Sequence, residues 1–238
     1  MGHILKYIRL ALLAPATGIV SILWVLIPLT SPANPKWTSY AAQTLRLIGR
    51  FVLGYRIDVE NNNNFDIRHV EKSVIISNHQ SNFDIFHVGE VCPRNCVSVG
   101  KKALASIPIF GQMYWLTGNI LIDRGNRKRA WSVMDKVVDK IKEGANVWIM
   151  PEGTRSKGRG LLPFKKGPFV VAIKAQRPIY PICIGDFDKV VDLTRWNSGT
   201  LKMKILPPIS TEGKTLDDLN ELKEEIRSIM EIEIAKLS

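Results

Sequence analysis

The chain has 238 residues, with 33 Lys and Arg against 22 Asp and Glu, a net charge of +11 and 45% hydrophobic residues. That composition excludes a charge-rich disordered chain and a collagen-like or Gly/Ser-rich repeat, and 3 unevenly spaced cysteines are too few for a disulfide-built secreted fold. The cations concentrate in residues 1–56, which carry six and no acid, and residues 97–178, which carry 16 against 5 acids, a balance that suits nucleic acid, a phospholipid surface, a phosphorylated substrate or an acidic carrier protein.

From Leu10 to Pro35 no residue is charged, and Leu10–Leu29 is long and apolar enough to cross a hydrocarbon core as one helix. Pro15 and Pro28 each remove a backbone donor, which predicts a kinked or re-entrant helix. Trp37 to Tyr55 then mixes aromatic and aliphatic residues with Arg46 and Arg50, the pattern of a helix lying at a headgroup boundary. Residues 1–55 therefore read as a membrane-associated helical hairpin, ahead of a domain at 56–238. A cleaved signal peptide fits poorly, since Ser31-Pro32-Ala33 is a poor cleavage site. Myristoylation is disfavoured because Lys6 stands where Ser or Thr is needed. An apolar core helix of this length would carry a polar stripe.

Beyond the hairpin, candidate strands at Arg56–Glu60, Ser73–Ser77, Cys96–Val99, Asn119–Ile122, Asn146–Met150, Pro178–Ile184 and Thr200–Leu206 alternate with helical stretches at Lys128–Glu143 and Thr215–Leu237. Asn61–Asn64 reads as a turn or loop. The alternation predicts an α/β fold with a mixed, largely parallel sheet flanked by helices.

Three polar clusters follow apolar runs in chain order. The first is Asn78-His79-Gln80-Ser81-Asn82-Phe83-Asp84, just past a strand, where α/β folds hold ligands. Five residues on a regular helix turn about 500°, which leaves two side chains about 140° apart. A strand–turn–helix junction brings His79 and Asp84 together instead, so that Asp84 orients one ring nitrogen and the other takes a proton from a substrate hydroxyl. The bland reading is a helix-start histidine and a first-turn acid. A metal site from His79, Asp84 and His87 is disfavoured, since only Asp84 and His87 have one-face spacing. Cys92, Cys96 and Cys183 read as core or surface thiols.

The second cluster, Lys101-Lys102, leads through Pro108-Ile109-Phe110-Gly111 to Ile122-Asp123-Arg124, setting cations beside an apolar wall. The third, Pro151-Glu152-Gly153-Thr154-Arg155-Ser156, offers a glycine for close backbone approach, the planar fork of Arg155 for phosphate oxygens, and Glu152 to hold that fork. A basic surface loop is the bland alternative. Together the clusters suit a phosphate head with a greasy tail.

In this order, with Phe164-Lys165-x-Gly167 and Pro178-Ile179-Tyr180-Pro181-Ile182 following, the motifs closely resemble those of the glycerolipid acyltransferases. The resemblance implies transfer of a fatty acyl group from acyl carrier protein or coenzyme A to the sn-2 hydroxyl of lysophosphatidic acid, at the cytoplasmic face of the inner membrane, by a peripheral or monotopic enzyme. It implies His79 as general base, Asp84 as its orienting partner, and Glu152, Gly153, Thr154 and Arg155 at the acceptor phosphate, with Lys101 as a second contact. No metal or cofactor is expected beyond the acyl thioester co-substrate; anionic phospholipid is an expected partner and nucleic acid is not. Acylation of glycerol 3-phosphate or another lysophospholipid is the close alternative, and a basic binding protein the distant one.

Overall fold

The computed structural model describes residues 2–62, 64–123, 125 and 127–237. Arg124, and Asn63 of the expected turn, lie outside the described residues. Seven strands form one sheet: β1 (Tyr55–Glu60), β2 (Val74–Ser77), β3 (Cys96–Lys101), β4 (Ile120–Ile122), β5 (Asn146–Ile149), β6 (Ile179–Ile184) and β7 (Gly199–Ile205). Their order is β1-β7-β6-β2-β5-β3-β4, and every pair is parallel except β6–β7. All seven expected strands are present. The central strands β2 and β5 are buried at every position, as expected for strands covered on both faces.

Helices α1 (Gly2–Leu26) and α2 (Pro35–Ile48) form the N-terminal hairpin, followed by α3 (Phe110–Leu116), α4 (Arg127–Lys142), α5 (Gly167–Ala175), α6 (Phe187–Val190) and α7 (Leu219–Lys236). One core lies between the sheet and α4, α5 and α7, and the other lies on the opposite face beneath α2. At the amino edge of the central strands, buried Asn146 donates to the carbonyls of Val70 and Arg94 and accepts from the Ser73 hydroxyl.

The hairpin is present, but its second helix departs from expectation. Helix α1 runs through Pro15 and gives way at Ile27–Thr30, a 3-10 turn that contains Pro28. Helix α2 turns Thr38, Ser39, Ala41, Leu45 and Ile48 onto the body of the protein. Its buried hydroxyls are satisfied there, Thr38 donating to the Thr117 carbonyl at 2.9 Å and Ser39 to that of Pro93 at 2.5 Å. Arg46, expected at a headgroup boundary, pairs instead with Glu90 at 2.7 Å. Arg9 is likewise no free cation. It is 5% exposed and donates to the carbonyls of Leu193 (3.1 Å), Arg195 (2.7 Å) and Trp196 (2.8 Å) and to the Ser198 hydroxyl, tying α1 to the loop that enters β7.

Candidate active site

The carboxyl ends of β2, β5, β3 and β6 lie along one edge of the sheet. After β2 the chain crosses that edge as Asn78-His79-Gln80 and enters a 3-10 turn at Asn82–Phe86. Asn78 is buried and exchanges two hydrogen bonds with Ile184, donating to its carbonyl at 2.8 Å and accepting from its N–H at 2.9 Å, which fixes the ends of β2 and β6 together. Ser81 caps the turn by accepting from the Phe83 N–H, and Asp84 reaches back to the Ser81 N–H, a reciprocal capping box. That box holds Asp84 inside the turn while His79 precedes it, the junction the five-residue spacing required.

His79 Nδ1 lies 2.5 Å from Asp84 Oδ2. The same oxygen accepts from the Gln80 N–H at 2.8 Å. Asp84 is 1% exposed, whereas a quarter of the His79 side chain meets solvent. The carboxylate is thus held by backbone donors behind the imidazole. With Nδ1 engaged, Nε2 is the ring nitrogen not committed to the carboxylate.

The loop after β5 is zipped to this one. The Ser156 N–H donates to the His79 carbonyl at 2.8 Å and the Lys157 N–H to that of Gln80 at 3.1 Å. Gly153 has φ +69°, a left-handed conformation suited to glycine, and its N–H closes a turn onto the Met150 carbonyl. Glu152 departs from expectation. Its buried carboxylate accepts from the His79 N–H at 2.6 Å and the Leu162 N–H at 3.0 Å, so it braces the backbone of the imidazole residue and does not hold the Arg155 fork. Burial raises the Glu152 pKa above the ordinary carboxylate range, and its two backbone donors oppose that rise. Arg155 instead donates to the Asn82 side chain, bridging the two loops at the surface. Thr154 is exposed.

Lys101 ends β3. The pairing of Ser98 with Trp148 sets it level with Pro151 along the same edge. It is exposed, and among the described residues no hydrogen bond or ion pair joins it to His79, Asp84, Glu152 or Arg155. Past it, Pro108, Ile109 and Gln112 face Ile22, Val25 and Leu26 of α1 across an apolar cleft of about 380 Å³. All three cysteines are buried thiols.

Two residues here carried no signal in the sequence. Gln80 donates to the carbonyls of Ile184 and Gly185 and accepts from the Phe187 N–H, which anchors α6 beside the site. His87, weighed only as a metal ligand, is wholly buried with its Nε2 3.6 Å from Asp84 Oδ1.

A family model described as acyltransferase matches residues 56–185. The 1-acyl-sn-glycerol-3-phosphate acyltransferases of Salmonella typhimurium and Escherichia coli are each 41% identical to this chain over 210 residues, covering 88% of it and 84% of their own length. That of Haemophilus influenzae is 36% identical over 234 residues, covering 98% of this chain and 96% of its own. The crystal structure of the 1-acyl-sn-glycerophosphate (LPA) acyltransferase of Thermotoga maritima has the same fold, with a TM-score of 0.70 over 98% of this chain and 97% of that one at 21% identity.

Proposed function

The chain belongs to the acyltransferase family, and from that membership we propose that it transfers a fatty acyl group from a thioester to the sn-2 hydroxyl of 1-acyl-sn-glycerol-3-phosphate, giving phosphatidic acid and a free thiol. The bacterial relatives carry that acceptor in their names. The observation that carries the chemistry is the 2.5 Å contact between His79 Nδ1 and a buried, amide-bound Asp84.

In this reading Nε2 of His79 takes the acceptor hydroxyl proton as the oxygen attacks the thioester carbonyl carbon. The carbonyl electron pair moves onto its oxygen. Collapse of the tetrahedral intermediate expels the thiolate, which recovers the proton from His79. Asp84 stabilises the transient imidazolium without being protonated. A base so placed is worth about 10²–10⁴ in rate. The Arg155 guanidinium, with the Gly153–Thr154 backbone, receives the acceptor phosphate, and Lys101 supplies a second cation on the same edge. Glu152 acts behind His79 as a brace, since a buried carboxylate with both oxygens engaged would repel phosphate. Acyl carrier protein and coenzyme A are both anionic donors suited to the exposed Lys102, Lys157, Lys165 and Lys166.

The substrate resides in a bilayer, and α1 with its following turn contains an 18-residue stretch of mean hydropathy 2.3, of which 11% is buried. Arg9 ties one end of α1 to the loop before β7, and its other end faces α3. Two tethered ends favour a helix lying in one leaflet over one that spans, and in this reading that leaflet is the cytoplasmic one.

The test compares wild type with His79→Ala in phospholipid micelles given lysophosphatidic acid and a labelled palmitoyl thioester. Phosphatidic acid from wild type, with at least a roughly hundredfold loss in the variant at unchanged melting temperature, is expected. A fully active variant would remove His79 from the mechanism. Product from glycerol 3-phosphate but not from the lysolipid would reassign the acceptor.

A further inference from the structure

The imidazole of His87 is wholly buried at the site, yet no step of the transfer uses it. Among the described residues, neither of its ring nitrogens has a hydrogen-bond partner. A buried polar atom left so is costly, and its aim is therefore informative. Nε2 points at Asp84 Oδ1 from 3.6 Å, beyond hydrogen-bond range. The two carboxylate oxygens are unequally served. Oδ2 takes His79 Nδ1 at 2.5 Å, the Gln80 N–H at 2.8 Å and a share of the Ser81 N–H at 3.3 Å, while among the described residues Oδ1 takes only the other share of that N–H, at 3.2 Å.

We propose that His87 is a positioning residue for the acyl transfer, donating from Nε2 to Asp84 Oδ1 in the substrate complex and so fixing the carboxylate rotation that aims Oδ2 at His79. This rests on His79 being the base. Contacts that are long in a ligand-free enzyme tighten in the reacting complex. The ring is already set for it. The His87 N–H donates to the Asp84 carbonyl at 3.2 Å, and the imidazole stacks on Phe187, with centroids 6.1 Å apart and planes at 24°. Phe187 is held in turn by the Gln80 side chain, whose own backbone N–H serves Asp84.

A neutral donor is what this place calls for. Burial lowers the His87 pKa to about 4, Asp84 opposes that fall and His79 reinforces it, so the ring is uncharged at neutral pH. A neutral N–H orients a carboxylate without cancelling its charge. Lys or Arg at this point would compete with the His79 imidazolium for the same anion.

The experiment uses His87→Phe and His87→Gln in phospholipid micelles with lysophosphatidic acid and a palmitoyl thioester. Phe keeps a ring to stack on Phe187 and loses the donor, and Gln carries a terminal amide that can reach Oδ1. The expected result is a roughly tenfold lower kcat for His87→Phe, unchanged KM for both substrates, an unchanged melting temperature and most of the rate restored in His87→Gln. A Phe variant with wild-type kcat, a Gln variant as slow as the Phe variant, or a loss confined to KM would overturn the proposal. A second arm is independent of turnover and of variant folding. In wild type labelled with 15N-histidine, His87 should be a neutral imidazole protonated at Nε2, and a proton on Nδ1 instead would overturn it. Wild type inactive on every lysolipid would sink the acyl-transfer reading, and the NMR arm would still decide whether His87 offers Asp84 a donor.

Discussion

The carboxyl edge of the sheet and the N-terminal hairpin solve different problems with the same chain. Around His79 nearly every polar atom has an assigned partner: Asp84 sits on three atoms of the 79–81 backbone and ring, Glu152 on two amides, Asn78 on Ile184, and the β2 and β5 loops share two backbone bonds. Along α1 the opposite holds. Ile4, Tyr7, Ile8, Leu12, Ile19, Leu23 and Leu26 are exposed, and most of the helix's directional ties to the body pass through the buried Arg9. A proton transfer needs atoms placed within fractions of an ångström, which directional bonds supply. Contact with lipid needs only apolar area, which is additive and undirected. The comparison can be broken by showing that the edge tolerates loss of a bond or that the hairpin does not tolerate loss of area.

The largest effect is expected at the edge. Asp84→Asn keeps the shape of the side chain but cannot both accept from Gln80 and stabilise the His79 imidazolium, so kcat should fall by about 10³. Steady-state turnover beside a thermal melt checks it, and a variant within tenfold of wild type would show that the network is decorative. Next is Arg9→Met. It preserves length but strands the carbonyls of Leu193, Arg195 and Trp196 together with the Ser198 hydroxyl. A loss of about 3 kcal/mol in urea unfolding is expected, and no loss would mean that the loop before β7 is held by other contacts.

Protonation sharpens the same contrast. His87 falls from an ordinary histidine value to about 4 in the folded chain, so the unfolded chain binds the proton more readily. The contribution is present above about pH 6.5 and is lost as pH falls towards 4, at a cost of about 3 kcal/mol by pH 4. Urea midpoints for wild type and His87→Phe, equal near neutral pH, should diverge as pH falls, with wild type dropping below the variant. Parallel curves would mean that folding leaves the proton affinity of the ring unchanged. On the hairpin, Leu23→Glu places a carboxylate on the exposed face of α1 and should lower partition onto vesicles of anionic phospholipid by tenfold or more, on the order of the cost of a charge in hydrocarbon. Its melting temperature should hold, because the side chain is half exposed. Unchanged partition would place the lipid contact elsewhere.

The contrast also explains what could be read beforehand. Strands were legible because β2, β5 and β6 are buried on both faces and write continuous apolar runs; α4 and α7 were legible because each has one wet face. Helix α5 was not, since Pro168–Ile173 and Ala175 are all buried and leave no period to detect, and α3 is too short to show one. At the site, His79 and Asp84 could be paired by spacing and then by family resemblance. The partner of Glu152 could not, because a buried carboxylate that binds two amides 73 and 10 positions away leaves no trace in its neighbours. The burial of Thr38 and Ser39 was hidden for the same reason: their acceptors come from the distant Thr117 and Pro93.

The smallest effect belongs where the two regions meet. Ile109 stands at φ +65° and ψ −52°, and the Phe110 N–H donates to the Pro108 carbonyl at 2.7 Å across it. These are the marks of a classic γ-turn, rare and strained, and worse for a β-branched residue. The side chain is 40% exposed and lines the cleft against α1. Ile109→Gly relieves strain on the order of 1–3 kcal/mol. It adds about 1 kcal/mol of unfolded-chain entropy and forfeits about 1–2 kcal/mol of partial burial. The terms oppose each other, so stability should move by less than about 1 kcal/mol, whereas an unstrained, half-buried isoleucine replaced by glycine would cost clearly more. A loss above about 2 kcal/mol in urea unfolding would mean that the turn holds little strain and that the cleft wall is packed as tightly as the sheet edge. A small shift would mean that the strain is kept for where it aims the Ile109 side chain, into the apolar cleft beside the cation-lined edge.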